Sequence, residues 1–385
     1  MTRTAARRQT LWTPAFTAVT LAATAYFTAD GVLIPAVPRL VAGPLGAGNV
    51  AVGLTVGAFS VSAFLLRPWA GRAGDRWGRR PLMLAGSALF MVSVLGYGLA
   101  GSPGVLAALR LLTGAGEALF FVGAITTVTD LAPAERRGTA MSLASLSLYV
   151  GVGLGPVLGE AAIDRFGFGA AWALAAGLGL GALVLAARVP ETRPDSADVP
   201  GPLVHRAGLA PGVVLLAGLT GMAGFLAFVP LYARDLGLAG SGGVLLLFGG
   251  LIVAIRSIGA SLPDRLGAER GARLSMMLSA AGLAVMGTWR APAGLVTGTV
   301  LLAAGIALLA PALLTLAVER VEPRERGSVI GTTSAFIDLA FGLGPASLGI
   351  VAAAAGRPWA FLAGAAVAGA GLALLARPGS ARTAW

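Results

Sequence analysis

The chain has 385 residues, of which 56% are hydrophobic and 12% charged, and its mean hydropathy is +0.83. These values exclude a soluble globular domain and indicate a membrane protein with many spans. The sequence has no cysteine and a single histidine, His205. It therefore offers no disulfide framework, no His/Cys metal site and no Ser-His-Asp nucleophile, and we expect neither an enzyme nor a cofactor.

Twelve apolar runs are long enough to cross a bilayer, for which a helix needs about 20 mostly apolar residues. They predict an all-α membrane protein. The first run is too long and too interrupted for a cleavable signal peptide, so we expect it to be retained. In chain order the predicted spans are 12–36, 48–70, 81–100, 104–129, 138–162, 169–188, 211–233, 241–261, 271–289, 293–318, 327–352 and 358–376.

The second half of the chain repeats landmarks of the first half at a constant spacing. Arg67 and Arg256 form one such pair, and Pro156 and Pro345, which are separated by the same distance along the chain, form another. Chance similarity does not keep register over such distances, so the sequence indicates a tandem duplication with six spans in each half. The predicted domains are a six-helix bundle over 1–188, a cytoplasmic linker over 189–210 and a second six-helix bundle over 211–385.

All 28 basic residues are arginines, and their distribution is more informative than the net charge of +11. Most of them lie in loops on the same side of the membrane as the N-terminus. By the positive-inside rule both termini are predicted to be cytoplasmic, in a protein of the cell membrane. This distribution argues against nucleic acid as a partner. The opposite side carries Arg39, Arg165, Arg234, Arg290 and Arg357.

Three motifs resemble those of one transporter family. They are Gly71–Arg80 between spans 2 and 3, Arg110–Gly116 in span 4 and Gly151–Gly159 in span 5. On these motifs the chain resembles the major facilitator superfamily over nearly its whole length, and the span 5 motif is similar to that of the 12-span drug/proton antiporter branch. The resemblance implies two six-helix bundles around a central cavity that opens alternately to the two membrane faces.

The segment between spans 2 and 3 is short, so its charges must act at the cytoplasmic ends of neighbouring helices. Asp75 is suited to a helix N-terminus or to Arg324 or Arg326 across the bundle interface, and we expect such a contact to hold the inner gate closed. The alternative is that these charges only set topology and fold the loop. The gating candidates are Asp75, Arg76, Gly78, Arg79, Asp264, Arg265, Gly155 and Pro156.

Span 5 carries small residues on one strip, at Gly151, Gly155 and Gly159. Small residues let another backbone approach closely, and Pro156 removes a backbone hydrogen bond and bends the helix. A hinge or a tight sliding contact is therefore predicted. The alternative is that these small residues serve only ordinary helix packing.

Ionisable side chains inside apolar spans cost at least about 2.5–3.5 kcal/mol each at mid-membrane unless they are paired or hydrated. Asp30 in span 1 and Arg110 in span 4 lie at comparable depth, and Glu117 lies about 10.5 Å deeper on nearly the same face as Arg110. We predict that Asp30 takes up and releases a proton, that Arg110 is its cationic partner, and that Glu117 is a second acid facing the cavity. The alternatives are a static ion pair between Asp30 and Arg110 and a structural, hydrogen-bonded Glu117.

Asp338 in span 11 has Tyr149 at the corresponding position of the first half. It either contacts a cationic substrate or neutralises an arginine that the sequence does not identify. The spans contain aromatic side chains and almost no Asn, Gln or His, which favours an amphipathic or cationic organic substrate over a sugar. The predicted cavity residues are Tyr26, Phe27, Phe121, Tyr149, Phe228, Tyr232 and Asp338.

The leading functional prediction is a secondary active exporter of small organic molecules that is driven by proton antiport. A proton-coupled uptake symporter is the alternative within the same class. A transport-dead membrane sensor or scaffold is the alternative from another class. The expected partners are a small-molecule substrate, protons and the lipid bilayer, and the protein is expected to act as a monomer.

Overall fold

The computed structural model describes residues 11–133, 136–193, 204–258, 267–318, 321 and 326–376. The described residues form twelve long α-helices, two short 3-10 turns and no β-strand. The first half contains α1 (Pro14–Ala42), α2 (Asn49–Trp77), α3 (Arg79–Gly96), α4 (Pro103–Leu131), α5 (Arg137–Phe166) and α6 (Phe168–Ala187). The second half contains α7 (Leu209–Asp235), α8 (Gly242–Ile258), α9 (Ala268–Thr288), α10 (Pro292–Val318), α11 (Arg326–Ala355) and α12 (Arg357–Ala376).

Length and apolar composition would allow ten of these helices to cross a membrane. Large apolar side chains such as Leu54 and Leu343 are more than half exposed along the outer surface, as expected for helices that face lipid. The all-α membrane fold predicted from hydropathy is confirmed.

Local sequence signals explain where several helices begin and end. Thr13 and Ser102 cap α1 and α4 by accepting hydrogen bonds from backbone N–H groups three residues later, and each is followed by a proline at the first helical position. Gly78 ends α2 with a φ of 105°, a region of backbone conformation that favours glycine. The chain therefore turns from α2 into α3 over one residue.

Successive helices alternate in direction, so the molecule has two faces. We call the face at which α1 begins and α12 ends the linker face, because α6 also ends and α7 also begins there, and the other the opposite face. The two halves meet through two similar packing arrangements, α2 against α11 and α5 against α8. In each arrangement the second helix of one half packs against the fifth helix of the other half.

Glycines bring the two halves into backbone contact at both arrangements. A Cβ atom added to Gly249 of α8 would lie 2.8 Å from the Cα atom of Gly153 in α5, and one added to Gly57 of α2 would lie 2.5 Å from the carbonyl oxygen of Gly342 in α11. Gly153 and Gly342 themselves occupy corresponding positions of the duplication. A side chain at these positions would push the halves apart.

The strip predicted in span 5 faces α1 of its own half. A Cβ atom at Gly155 would lie 2.6 Å from the carbonyl oxygen of Thr28, and one at Gly159 would lie 2.7 Å from that of Val32. This contact supports the interpretation as helix packing within the first half. The glycine of this motif that faces the other half is Gly153.

Candidate functional site

An ion cluster lies near the middle of the helices, at the contact between the two halves. Nη2 of Arg67 in α2 lies 2.9 Å from Oε1 of Glu117 in α4 and 3.0 Å from Oδ1 of Asp338 in α11. Arg67 also lies over the ring of Phe121, with 4.4 Å between the guanidinium carbon and the ring centroid. We call Arg67, Glu117 and Asp338 the central ion cluster. Because Asp338 belongs to the second half, the cluster contains an ion pair that joins the halves.

The central ion cluster contains two carboxylates and one guanidinium. The carboxylate side chains are 9% and 7% exposed. Oδ2 of Asp338 and Nε of Arg67 are buried without a hydrogen-bond partner among the described residues. Buried groups of this kind are costly unless they are neutralised. One carboxylate exceeds the positive charge, so the cluster can hold a proton.

Asp338 therefore neutralises an arginine, which is one of the two alternatives drawn from the sequence. Arg67 is not among the site residues predicted from the sequence, although it is a landmark of the duplication. The signal that was missed is that Arg67 lies inside the predicted span 48–70, in a helix that continues beyond it to Trp77. Such a residue lies within the bundle and not in a loop.

Asp30 and Arg110 are neighbours without an ion pair in this conformation. Arg110 lies close enough to act on the Asp30 carboxyl electrostatically, yet no nitrogen–oxygen distance within 4.0 Å joins the two in the described part of the chain. Arg110 instead lies over the ring of Phe59 and donates a long hydrogen bond of 3.5 Å to the carbonyl oxygen of Val56. Asp30 and Arg110 are therefore close to each other, as predicted, but they form no direct ion pair in this conformation.

The predicted cavity aromatics divide into two groups. Phe27 packs edge-on against Phe121, beside the central ion cluster. Tyr26 stacks on Phe120 at 4.0 Å between centroids and is fully buried. Phe228 and Tyr232 are instead packing residues of the second half, because both are at most 2% exposed and the hydroxyl of Tyr232 donates to the carbonyl oxygen of Met286.

Glu160 closes the opposite face between the two halves. Its carboxylate, at the end of α5, accepts hydrogen bonds from the backbone N–H of Ser241 at 2.7 Å, the hydroxyl of Ser241 at 2.8 Å and the backbone N–H of Gly242 at 2.6 Å. Gly242 is the first residue of α8, so a buried negative charge meets the positive end of that helix. At the outer end of span 5 the sequence suggests a half-solvated rim residue at Glu160, but the side chain is only 7% exposed, because it docks on a partner that lies far along the chain in the other half.

On the linker face, the segment expected to be a loop is helical apart from Gly78. Asp75 pairs with Arg79 at 2.9 Å, and Arg79 also lies 3.4 Å from Asp130 of α4. These partners all belong to the first half. Arg76 is exposed and accepts a hydrogen bond at its carbonyl oxygen from Arg193. Asp264, Arg265, Arg324 and the side chain of Arg326 lie outside the described residues, so the expected contact of Asp75 across the interface remains a prediction.

Glu191, which follows α6, docks on the start of α3. Its carboxylate accepts hydrogen bonds from the backbone N–H groups of Arg79 at 2.8 Å and Arg80 at 3.2 Å. It occupies the space beside Gly78 into which a side chain there would project. Gly78 is therefore required both for its backbone conformation and for this docking contact.

The docking of Glu191 is expected to weaken in acid. Burial alone would raise the pKa of Glu191, but four backbone N–H donors, from Arg79, Arg193, Arg80 and Thr192, hold the pKa below its ordinary value. A lowered pKa in the folded state stabilises the contact above the unfolded pKa of about 4.3, and this contribution is lost as the pH falls further. Hydrogen exchange should show faster exchange of the Arg79 and Arg80 amides at about pH 3 than expected from chemistry alone.

Glu191→Gln supplies the control, since its exchange should be fast already at neutral pH and should show no such acid step. Equal protection of both amides in the wild-type protein above and below the transition would contradict the assignment.

Comparisons with known proteins agree with this architecture. A sequence profile described as Major Facilitator Superfamily matches residues 19–273 and 257–385. An uncharacterised MFS-type transporter of Salmonella typhimurium is 29% identical over 366 residues, which cover 88% of this chain and 89% of that protein.

Solved structures share the fold at low sequence identity. The human organic anion transporter MFSD10 is 22% identical and superposes with a TM-score of 0.70, covering 94% of this chain and 99% of its own. A POT family transporter in complex with a thioalcohol-conjugated peptide is 11% identical with a TM-score of 0.80, covering 93% and 94%. With two thirds or more of its length matched by the family profile, this multi-pass membrane protein is not an enzyme but a transporter, and it belongs to the Major Facilitator Superfamily.

Proposed function

We propose that this protein exports small organic molecules by proton antiport and alternating access. In this proposal the linker face and both termini are cytoplasmic, as the arginine distribution predicts. The protein acts as a monomer in the cell membrane. A proton that moves inward supplies about 2.3 kcal/mol for each 100 mV of membrane potential, before any pH gradient is counted.

The central ion cluster is the observation that carries the proposal. Arg67 holds Glu117 of its own half and Asp338 of the other half at 2.9 and 3.0 Å. A proton on Asp338 removes the attraction that joins α2 to α11, whereas loss of that proton restores it. Proton occupancy therefore changes the relative stability of conformations in which the halves are joined or separated at this depth.

Asp30 and Arg110 extend the same charged layer toward the opposite face. Asp30 is partly buried, and the guanidinium of Arg110 is buried with Nε and Nη1 unpaired among the described residues. Movement of α1 relative to α4 would form or break their pairing. We propose that Asp30 carries the proton through this movement and that Arg110 controls when it is released.

The direction of transport and the kind of substrate have weaker support. Export rests on the similarity of Gly151–Gly159 to an antiporter motif. The structural neighbours are named for organic anions and for peptides, so the fold does not select a substrate. An amphipathic molecule fits the aromatic and charged surroundings, while the engagement of Asp338 with Arg67 removes one reason to expect a cation.

The first test of coupling is the Asp30→Asn variant. We expect the variant to fold and to bind substrate. Its substrate-dependent proton movement should fall at least tenfold, because an amide side chain does not take up a proton near neutral pH. The measurement uses proteoliposomes with a trapped pH-sensitive dye. Asp235→Asn, at an exposed ion pair with Arg357 of the same half, is the matched control and should couple normally. Full coupling in Asp30→Asn would remove Asp30 from the mechanism.

A substrate for this assay can be found with a panel of toxic compounds. Cells with the protein should tolerate a subset of the panel better than cells without it, and a proton uncoupler should cancel the difference. Proton and substrate movement in the same direction would indicate the uptake symporter instead.

A further inference from the structure

Two arginines occupy corresponding positions in the two halves. Arg67 in α2 and Arg256 in α8 are related by the duplication, and so are Tyr149 in α5 and Asp338 in α11. Arg67 reaches across the interface to Asp338, and Arg256 reaches across the interface to Tyr149. The same crossing is therefore built twice, once in each of the two packing arrangements between the halves.

The two crossings differ in charge. Arg67 is neutralised by Glu117 and Asp338. The positions corresponding to these two acids, Ile306 and Tyr149, carry no charge. The second copy of the arrangement therefore keeps the arginine, as Arg256, but has no acidic residue at either of the two corresponding positions.

The contacts of Arg256 are all with neutral groups in the described part of the chain. Nε donates to the carbonyl oxygen of Ala307 at 3.3 Å, and Nη1 donates to the hydroxyl of Ser145 at 3.4 Å. The guanidinium carbon lies 4.7 Å from the centroid of the Tyr149 ring. No carboxylate lies within 4.0 Å of Arg256 among the residues described.

An arginine deep in a membrane protein marks a functional position, all the more where none of the described carboxylates pairs with it. Arg256 is partly exposed and lies where α5 and α8 meet, which is the interface that alternating access must open. A planar guanidinium binds carboxylates and other oxyanions through two parallel hydrogen bonds. The adjacent ring of Tyr149 would cover an apolar part of the same ligand.

We propose that Arg256, Ser145 and Tyr149 form a subsite for a carboxylate or similar oxyanion of the transported molecule. This inference rests on the proposed function and narrows its substrate to an amphipathic anion or zwitterion. Ser145 and Tyr149 belong to one half and Arg256 to the other. The subsite is complete while α5 and α8 are packed together, and separation of these helices dismantles it and releases the anion.

The test compares two probes that differ only in charge. Dansylglycine carries a carboxylate, and dansylglycinamide is its neutral analogue. Their binding to the full-length protein in phosphatidylcholine nanodiscs is measured by equilibrium dialysis without a pH gradient. We expect the wild-type protein to prefer the carboxylate at least tenfold, which corresponds to about 1.4 kcal/mol.

Three variants assign that preference to a residue. Arg256→Gln should reduce the carboxylate-to-amide ratio to within twofold of unity, and Arg256→Lys should retain part of it because the charge is kept without the planar fork. Arg290→Gln, at an exposed position, should retain all of it. A merely structural role of Arg256 would lower the melting temperature of the Gln variant without changing the ratio.

Several outcomes would overturn the subsite. They are equal binding of both probes by the wild-type protein, no binding of either, and a ratio that survives Arg256→Gln. None of these results bears on proton coupling, which is measured separately with Asp30→Asn. Conversely, a charge preference that depends on Arg256 in a protein without proton movement would support the subsite and contradict the antiport proposal.

Discussion

The Arg67→Gln variant is expected to lose transport and to have a clearly lower melting temperature than the wild-type protein. Removing one partner of a buried ion pair leaves uncompensated charge and costs about 3–5 kcal/mol. Here the loss affects two carboxylates, because Glu117 and Asp338 share the same guanidinium. The measurements are substrate flux in proteoliposomes and thermal unfolding in detergent.

A neutral version of the central ion cluster separates stability from coupling. The triple variant Arg67→Gln, Glu117→Gln, Asp338→Asn leaves no unpaired charge, so its melting temperature should return toward that of the wild-type protein. Its flux should no longer respond to a pH gradient. Gradient-driven flux at the wild-type rate in this triple variant would show that the central ion cluster is not needed for proton coupling.

Glu160→Gln is expected to open the opposite face. Both carboxylate oxygens of Glu160 accept hydrogen bonds from the start of α8, and an amide nitrogen in place of one oxygen would face the backbone N–H of Gly242, donor against donor. Such a loss costs about 1.5–3 kcal/mol, enough to shift a conformational equilibrium by tenfold or more.

The chain has no cysteine, so a single reporter is easily introduced to measure this shift. Val157 contacts Gly242 at the same interface. In a Val157→Cys background, Glu160→Gln should increase the alkylation rate by a membrane-impermeant maleimide at least tenfold. Asp235→Asn, at an exposed ion pair on the same face whose partner Arg357 belongs to the same half, should leave the rate unchanged. An equally slow reaction in both variants would exclude Glu160 as the closing contact.

The spans could be predicted from the sequence because hydropathy reports burial in lipid directly. The predicted span 211–233 matches α7, Leu209–Asp235, closely. The prediction fell short for span 2, expected over 48–70, because α2 continues to Trp77 through charged residues. Hydropathy detects the apolar part of a helix, whereas backbone hydrogen bonding continues into the polar interface.

The site was only partly predictable for a different reason. Asp30, Glu117 and Asp338 stood out because a charge in an apolar run is rare. Their partners could not be read from the chain, since Arg67 and Asp338 lie in different halves and meet only when the halves pack together. Phe228 and Tyr232 pack within the second half in this conformation, and their place in the cavity stays a prediction, since helical periodicity in an apolar span does not separate a core face from a cavity face.

The bare backbone contacts at Gly153 with Gly249 and at Gly57 with Gly342 have a consequence for the speed of the transport cycle. Interlocked side chains must change rotamer before two helices can slide, which adds a barrier. Glycine has no side chain that could interlock, so we expect the two bundles to tilt against each other at these two contacts with a low barrier. The charged contacts on either side of the glycine contacts then limit this motion, and ligands and protons can release them.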